Sequence, residues 1–230
     1  RYRDERAKTV KGSTIIREFN LLSDVFNVAR REWRWMNTNP LVDVRRPKDS
    51  APRKRRLQPG ELEALRVASG YRPDSPPVTD TARAVAIAEF AVETAARSGE
   101  LCGLTWEHVH AQHVHFPKTK TDDERDVPLT ARAQEILAQL RPLGFATVFG
   151  LSDASRDALW RKVRDRAMID GLTFHDLRHA AITDLFRKGL GIPEVALVSG
   201  HRSWRELKRY TQLTAADVLG KFRALEQAGG

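Results

Sequence analysis

Thr173-Phe174-His175-Asp176-Leu177-Arg178-His179 reads as the opening of a helix. Thr173 with Asp176 three residues later matches a capping box, so Asp176 is assigned a structural role. Spacing of three puts His175 and Arg178 on one face, close to a helix start whose N–H groups favour anions. His179 lies about 100° round the helix from Arg178 and reads as a supporting or core histidine.

Working outward, Val198-Ser199-Gly200-His201 leads to Leu207-Lys208-Arg209-Tyr210. Basic neighbours that stabilise a phenolate make Tyr210 a candidate nucleophile, although an isolated tyrosine late on a helix more often serves for packing. Upstream, Arg97 in Ala95-Ala96-Arg97-Ser98-Gly99-Glu100-Leu101 closes a long apolar helix, and Gly99 supplies the turn that follows. That arginine reads either as a partner of the helix dipole or as a guanidinium offered to two phosphate oxygens. Glu100 reads as its buried structural partner. Lys120, at the tip of a hairpin, is either a solvated charge or a mobile ammonium able to protonate a leaving oxygen. One phenol, two guanidiniums, an ammonium and the imidazoles His175 and His201 form a coherent set. It can attack, hold and expel the groups of a phosphodiester without a metal.

The remaining pattern frames this set. Residues 13–36 are expected to form an amphipathic helix with Ser13 as N-cap. Its apolar stripe is Ile15, Phe19, Leu22, Val25, Phe26, Ala29 and Trp33, with Arg17, Arg30, Arg31 and Arg34 mostly outside it. Asn39-Pro40 ends the element. A cationic stretch follows, with Arg45, Arg46, Arg53, Lys54, Arg55 and Arg56, read as an extended linker suited to a phosphate backbone. Residues 60–69 and 80–97 are expected as helices flanking a proline-rich loop. His108 to Leu129 reads as strands with a turn at Thr121-Asp122-Asp123, and helices are expected near 130–141, 153–169, 174–189, 192–200 and 204–228. The fold class is therefore mostly α with a small antiparallel β-sheet (α+β).

Charge is distributed unevenly. Residues 1–56 carry 16 Lys and Arg against 7 Asp and Glu, whereas residues 57–230 carry 23 of each. The whole excess sits in the first quarter of the chain, which points to a polyanionic partner gripped there. Mean hydropathy of −0.49 suits a water-soluble protein. The start, Arg1-Tyr2-Arg3-Asp4, has no apolar leader run, and no stretch is apolar enough for a membrane span. A single cysteine, Cys102, excludes an intrachain disulfide framework and fits a reducing cytoplasm. His108, His110, His113 and His115 crowd one segment, but no Cys pair or acidic ligand stands at metal spacing, and alternation places the rings on both faces. No metal site and no cofactor are expected.

The ordered motifs resemble the tyrosine recombinases, or phage-type integrases, over nearly the whole chain. The resemblance is carried by Ala96-Arg97-Ser98-Gly99-Glu100-Leu101, the hairpin ending Val127-Pro128-Leu129, His175-Asp176-Leu177-Arg178-His179, Gly200-His201 and Tyr210. It implies a partial helical core DNA-binding domain (1–44), a basic interdomain linker (45–57) and a catalytic domain (58–230). It implies that Tyr210 forms a 3′-phosphotyrosyl bond while Arg97 and Arg178 clamp the scissile phosphate. Lys120 would protonate the departing 5′ oxygen, His175 would help take the tyrosine proton, and His201 would hydrogen-bond the phosphate. The implied partner is double-stranded DNA, bound by a homo-tetramer that is monomeric or weakly associated without it, in a prokaryotic cytoplasm. Arg205-Glu206 stands where the family often has Ser or Thr. A type IB topoisomerase shares such an active site but relaxes supercoils, and a non-catalytic DNA-binding module would not need all six reactive positions filled.

Overall fold

The computed structural model describes residues 1–49, 55–118, 124–211, 219–220 and 226. The chain divides into two compact units, Arg1–Lys54 and Arg55–Gly230.

The first unit is built on α1 (Tyr2–Arg6) and α2 (Gly12–Arg31). Glu18 of α2 accepts from Tyr2 Oη at 2.9 Å and from the Arg6 guanidinium, tying the helices together. Asn39 is buried and its amide donates to Ser23 Oγ (2.9 Å) and Asn27 Oδ1 (3.1 Å), while its Oδ1 accepts from the Leu41 N–H. It thereby anchors the chain that leaves α2. Two expectations need correction. Lys11, not Ser13, takes the N-cap position, and the helix stops at Arg31, not residue 36. The cause at the far end is Arg34, whose φ of +56° lies in the left-handed region that no helix tolerates. Of the expected stripe, Ile15, Phe19 and Ala29 are buried, but Val25 and Trp33 stay about half exposed.

The second unit surrounds α4 (Asp80–Thr94). Its alanine-rich sequence keeps the helix slim, so neighbours approach on every side, and residues 84–88 are all essentially inaccessible. Packed against it are α3 (Glu61–Ser69), α6 (Ala131–Leu140), α7 (Asp153–Arg166) and α8 (Phe174–Arg187). Phe90 of α4 meets Phe149 edge-on at 5.4 Å, and each such fully buried ring contributes roughly 1.5–3 kcal/mol. A buried carboxylate fixes two of these neighbours. Glu89 receives Arg66 of α3 at 2.5 Å and Arg132 of α6 at 2.9 Å, and Arg132 also donates to Tyr71 Oη. Burial, seconded by Glu89, pushes the Tyr71 phenol up to about 12.

The elements α5 (Ser98–Gly103), α9 (Ile192–Ser199) and α10 (Trp204–Leu207) are short. Strands β1 (His113–Phe116) and β2 (Arg125–Pro128) pair antiparallel, with Val114 opposite Val127 and Phe116 opposite Arg125. Val114, Phe116, Arg125 and Val127 face inward. The expectation that the hairpin histidines alternate between faces is overturned. The chain turns between Val109 and Val114, which form a bridge. His108 therefore folds back to His115 (5.5 Å) and His110 to His113 (4.5 Å). Among the described residues no group of three His, Cys, Asp or Glu is arranged to hold a metal ion. None of the described helices is long and apolar enough to cross a membrane.

Candidate active site

The helix expected over 80–97 ends at Thr94, because Ala95 turns left-handed at φ +53°. This corrects two readings. Arg97 does not close α4 but occupies the N-cap position of α5, and the turn is made by Ala95 while Gly99 lies inside α5. The reversal turns the Ala95 carbonyl toward α8, where it accepts from Arg178 Nη1 at 2.5 Å. Arg178 Nη2 donates to the Ser199 carbonyl at 2.6 Å, at the end of α9. So Arg178, only 4% exposed, joins the ends of three helices. Burial, with the charges of Arg97 and Arg125 adding to it, lowers its proton affinity to about 10.

Arg97 lies beside it and donates through Nη2 to the Gly200 carbonyl at 3.2 Å. The Arg97 N–H donates to Glu100 Oε2 at 2.6 Å, and its Nη1 lies 3.3 Å from Oε1. Glu100 is the structural partner expected, but its main cation is one the sequence reading missed. Arg125, projecting inward from β2, donates two parallel hydrogen bonds to Glu100 (2.6 and 2.7 Å) and a third to the Val198 carbonyl (3.1 Å). Burial alone would raise the Glu100 carboxyl, but Arg125 and then Arg97 outweigh it and hold it below the ordinary value. Gly200, at φ +69°, passes so close that an added Cβ would sit 3.0 Å from the Arg125 guanidinium.

Asp176 caps α8 as expected, accepting from Thr173 N (2.8 Å) and Thr173 Oγ1 (2.7 Å). On α8 the exposed His175 ring meets His179 edge-to-face at 4.5 Å. His179 is more than a packing residue, since its Nδ1 is hydrogen-bonded to Tyr210 Oη, with ring centroids 5.5 Å apart. Its spacing of four from His175 was the available signal. His201 Nδ1 lies 2.7 Å from Ser199 Oγ, which also bonds the Val195 carbonyl at 2.5 Å, and its ring centroid is 6.5 Å from Tyr210. Tyr210 ends a single 3-10 turn, Lys208–Tyr210, after α10. The long helix expected over 204–228 is thus interrupted here, and most of its remainder lies outside the described residues.

Arg97, His175, Arg178, His179, His201, Glu206 and Tyr210 line one cleft of about 190 Å³. His175 and Arg178 also line an adjoining hollow of about 220 Å³ with Ser98, Arg156 and Thr173. Five of the six expected reactive residues are therefore brought together. Lys120 lies outside the described residues.

The expected DNA-binding cations are less uniform. Arg17, Arg31, Arg34, Arg45, Arg46 and Arg56 are exposed. Arg31 and Arg34 line an open hollow of about 390 Å³ with Arg30. Arg46 donates to Asn20 Oδ1 at 2.5 Å. Arg55 is engaged internally, paired with Glu61 and donating to the Asp170 carbonyl at 3.2 Å. Arg53 and Lys54 lie outside the described residues.

Residues 55–217 match the phage integrase family. The chain belongs to that family. A shufflon-specific DNA recombinase of Escherichia coli is 40% identical over 235 residues, covering 97% of this chain and 59% of the relative. A putative integrase/recombinase of Haemophilus influenzae is 33% identical over 202 residues, covering 86% of this chain and 66% of its own length. This member of the phage integrase family thus spans about six tenths of the length of those relatives. Its fold is similar to that of the integrase chain in a structure of a lambda integrase tetramer bound to a Holliday junction. That structure superposes with a TM-score of 0.66 at 24% identity, over 84% of this chain and 57% of the other.

Proposed function

We propose that this chain cleaves and rejoins DNA as the catalytic part of a site-specific recombinase, through a covalent tyrosine intermediate. The observation that carries the reading is the cleft that Tyr210 lines together with Arg97, Arg178, His175 and His201. Tyr210 Oη attacks the scissile phosphorus, a phosphotyrosyl bond to the 3′ side forms, and the bond to the 5′ oxygen breaks. The 5′ oxygen leaves as a hydroxyl with a proton from Lys120, assigned from the family motif. In the pentacoordinate transition state the non-bridging oxygens gain charge, and Arg97 and Arg178 answer it from fixed positions. Ser199 Oγ, whose proton is engaged by the Val195 carbonyl, accepts from His201 Nδ1–H. His201 then hydrogen-bonds a phosphate oxygen through Nε2. Attack by a new 5′ hydroxyl reverses the step. The phosphotyrosine conserves the bond energy, so the chemistry needs neither ATP nor a metal ion.

The substrate is double-stranded DNA, held in part by the exposed arginines Arg17, Arg31, Arg34, Arg45, Arg46 and Arg56, with Arg53 and Lys54. The active assembly is a homo-tetramer on two duplexes in a prokaryotic cytoplasm, and protomers associate weakly without DNA. Covalent capture tests the reading. The protein is mixed with nicked, partly randomised duplexes in EDTA, denatured in detergent and resolved by size. A protein–DNA adduct that disappears in Tyr210→Phe, which still binds DNA, is expected. An adduct that persists in Tyr210→Phe identifies another nucleophile and defeats the proposal.

A further inference from the structure

The nucleophile needs a partner for its proton, and the sequence motif pointed to His175. The geometry points elsewhere: we propose that His179 accepts the phenolic proton of Tyr210, and that His175 positions the His179 ring. This rests on the reading of Tyr210 as nucleophile. The ring nitrogen hydrogen-bonded to the Tyr210 oxygen is His179 Nδ1. His175 instead packs edge-to-face on His179 at 4.5 Å. Spacing of four along α8 stacks the two imidazoles on one face, where the first fixes the tilt of the second.

The surroundings suit an acceptor. His179 and Tyr210 are each partly exposed, so the ring can exchange a proton with solvent between turnovers. The charged and titratable groups of the same cleft are Arg97 at the start of α5, His175 and Arg178 on α8, His201 after α9, and Glu206 on α10. Two guanidiniums, those of Arg97 and Arg178, line the cleft with His179. They stabilise the phenolate as it forms, and Glu206 balances the imidazolium that results. In the step the Tyr210 O–H bond breaks and an N–H bond forms at His179 Nδ1. The tyrosine oxygen bonds to phosphorus while the 5′ oxygen departs with the Lys120 proton. On rejoining, His179 returns its proton to Tyr210, so charge and protons balance over the cycle.

The test uses the full chain and nicked duplexes that the unaltered protein captures. Loss of the adduct in Tyr210→Phe secures the nucleophile separately, and its persistence defeats that reading whatever His179 does. Single-turnover capture is then timed for His179→Asn, His179→Ala and His175→Ala, with DNA affinity and melting temperature measured alongside. Asparagine places an amide near the Nδ1 position, keeping a hydrogen-bond partner without a titrating base. Removing a general base slows the step roughly 100- to 10,000-fold. Both His179 variants are expected to capture at least about 100-fold more slowly at neutral pH, and to recover as hydroxide rises. His175→Ala is expected to slow less than either. Capture by His179→Asn within about threefold of the unaltered rate would reduce His179 to a hydrogen-bonding prop and overturn the assignment. A larger defect in His175→Ala than in His179→Ala would return the proton to His175.

Discussion

Replacing Arg125 by methionine keeps an unbranched chain of similar length over the Phe116 ring, which the guanidinium covers at 4.9 Å. The substitution removes the paired bonds to Glu100 and the bond to the Val198 carbonyl. Both side chains of the pair are close to inaccessible, 6% and 10% exposed, so solvent cannot replace what is lost. Removing one partner of a buried pair costs roughly 3–5 kcal/mol because the other charge stays behind. The low end, about 3 kcal/mol, applies here because Arg97 still faces Glu100 at 3.3 Å. For a unit of this size that corresponds to a fall in melting temperature of roughly 6–12 °C. Urea unfolding measures the free energy and thermal melting checks it. Glu100→Gln combined with Arg125→Met should destabilise by at least about 1 kcal/mol less than the sum of the single changes. The pH dependence has a fixed sign. Glu100 titrates below the ordinary glutamate range in the folded protein, so its contribution is complete above that range and disappears as pH falls through the depressed value. The gap between variant and unaltered protein therefore narrows in acid. A loss below about 1 kcal/mol at neutral pH, or additive single changes, would refute the view that this pair anchors β2 to the cleft.

Gly200→Ala meets two obstacles, a left-handed φ of +69° and a guanidinium at 3.0 Å that Glu100 holds in place. It should cost about 1–2 kcal/mol in stability and slow covalent capture, since the Gly200 carbonyl receives Arg97; an unchanged melt and rate would refute this. Arg31→Ala and Arg34→Ala should each weaken DNA binding similarly across sequences and flatten the plot of log affinity against log salt by roughly 0.9. An unaltered slope would remove that hollow from the DNA interface.

The architecture was largely legible because long apolar periodicities and capping signals are local. Thr173 and Asp176 announced the start of α8, and alanine content announced α4. The end of α4 was not legible, since Ala95 adopts a left-handed turn that sequence normally advertises with glycine, and tertiary bonding to Arg178 sustains it. Arg125 was hidden in an acidic surface-like run. Its one signal was parity, because it shares the inward face with Val127 two residues later. His179 was read as a supporting or core histidine from its angle to Arg178; it is not core, and measured from His175, four residues earlier, it shares that residue's face. The hairpin histidines defeated alternation because a turn, not a continuous strand, joins His110 to His113. The candidate set followed from the chemistry of its residue types, but the mutual distances of its described members depend on α5, α8 and α9 converging, which no local pattern encodes.

Arg97, Arg125 and Arg178 converge with Glu100 as the carboxylate that two of them share. Burial, with the charges of Arg97 and Arg125 adding to it, is what lowers the proton affinity of Arg178. A phosphodiester entering the cleft supplies the counter-charge, so it acts on the folding equilibrium as well as on the reaction. Ligand at a hundredfold excess over its dissociation constant adds about 2.7 kcal/mol to the folded state. Under the proposed function, a bound duplex becomes by that linkage a component of the protein's own cohesion, and the second unit is firmest with the strand in its cleft.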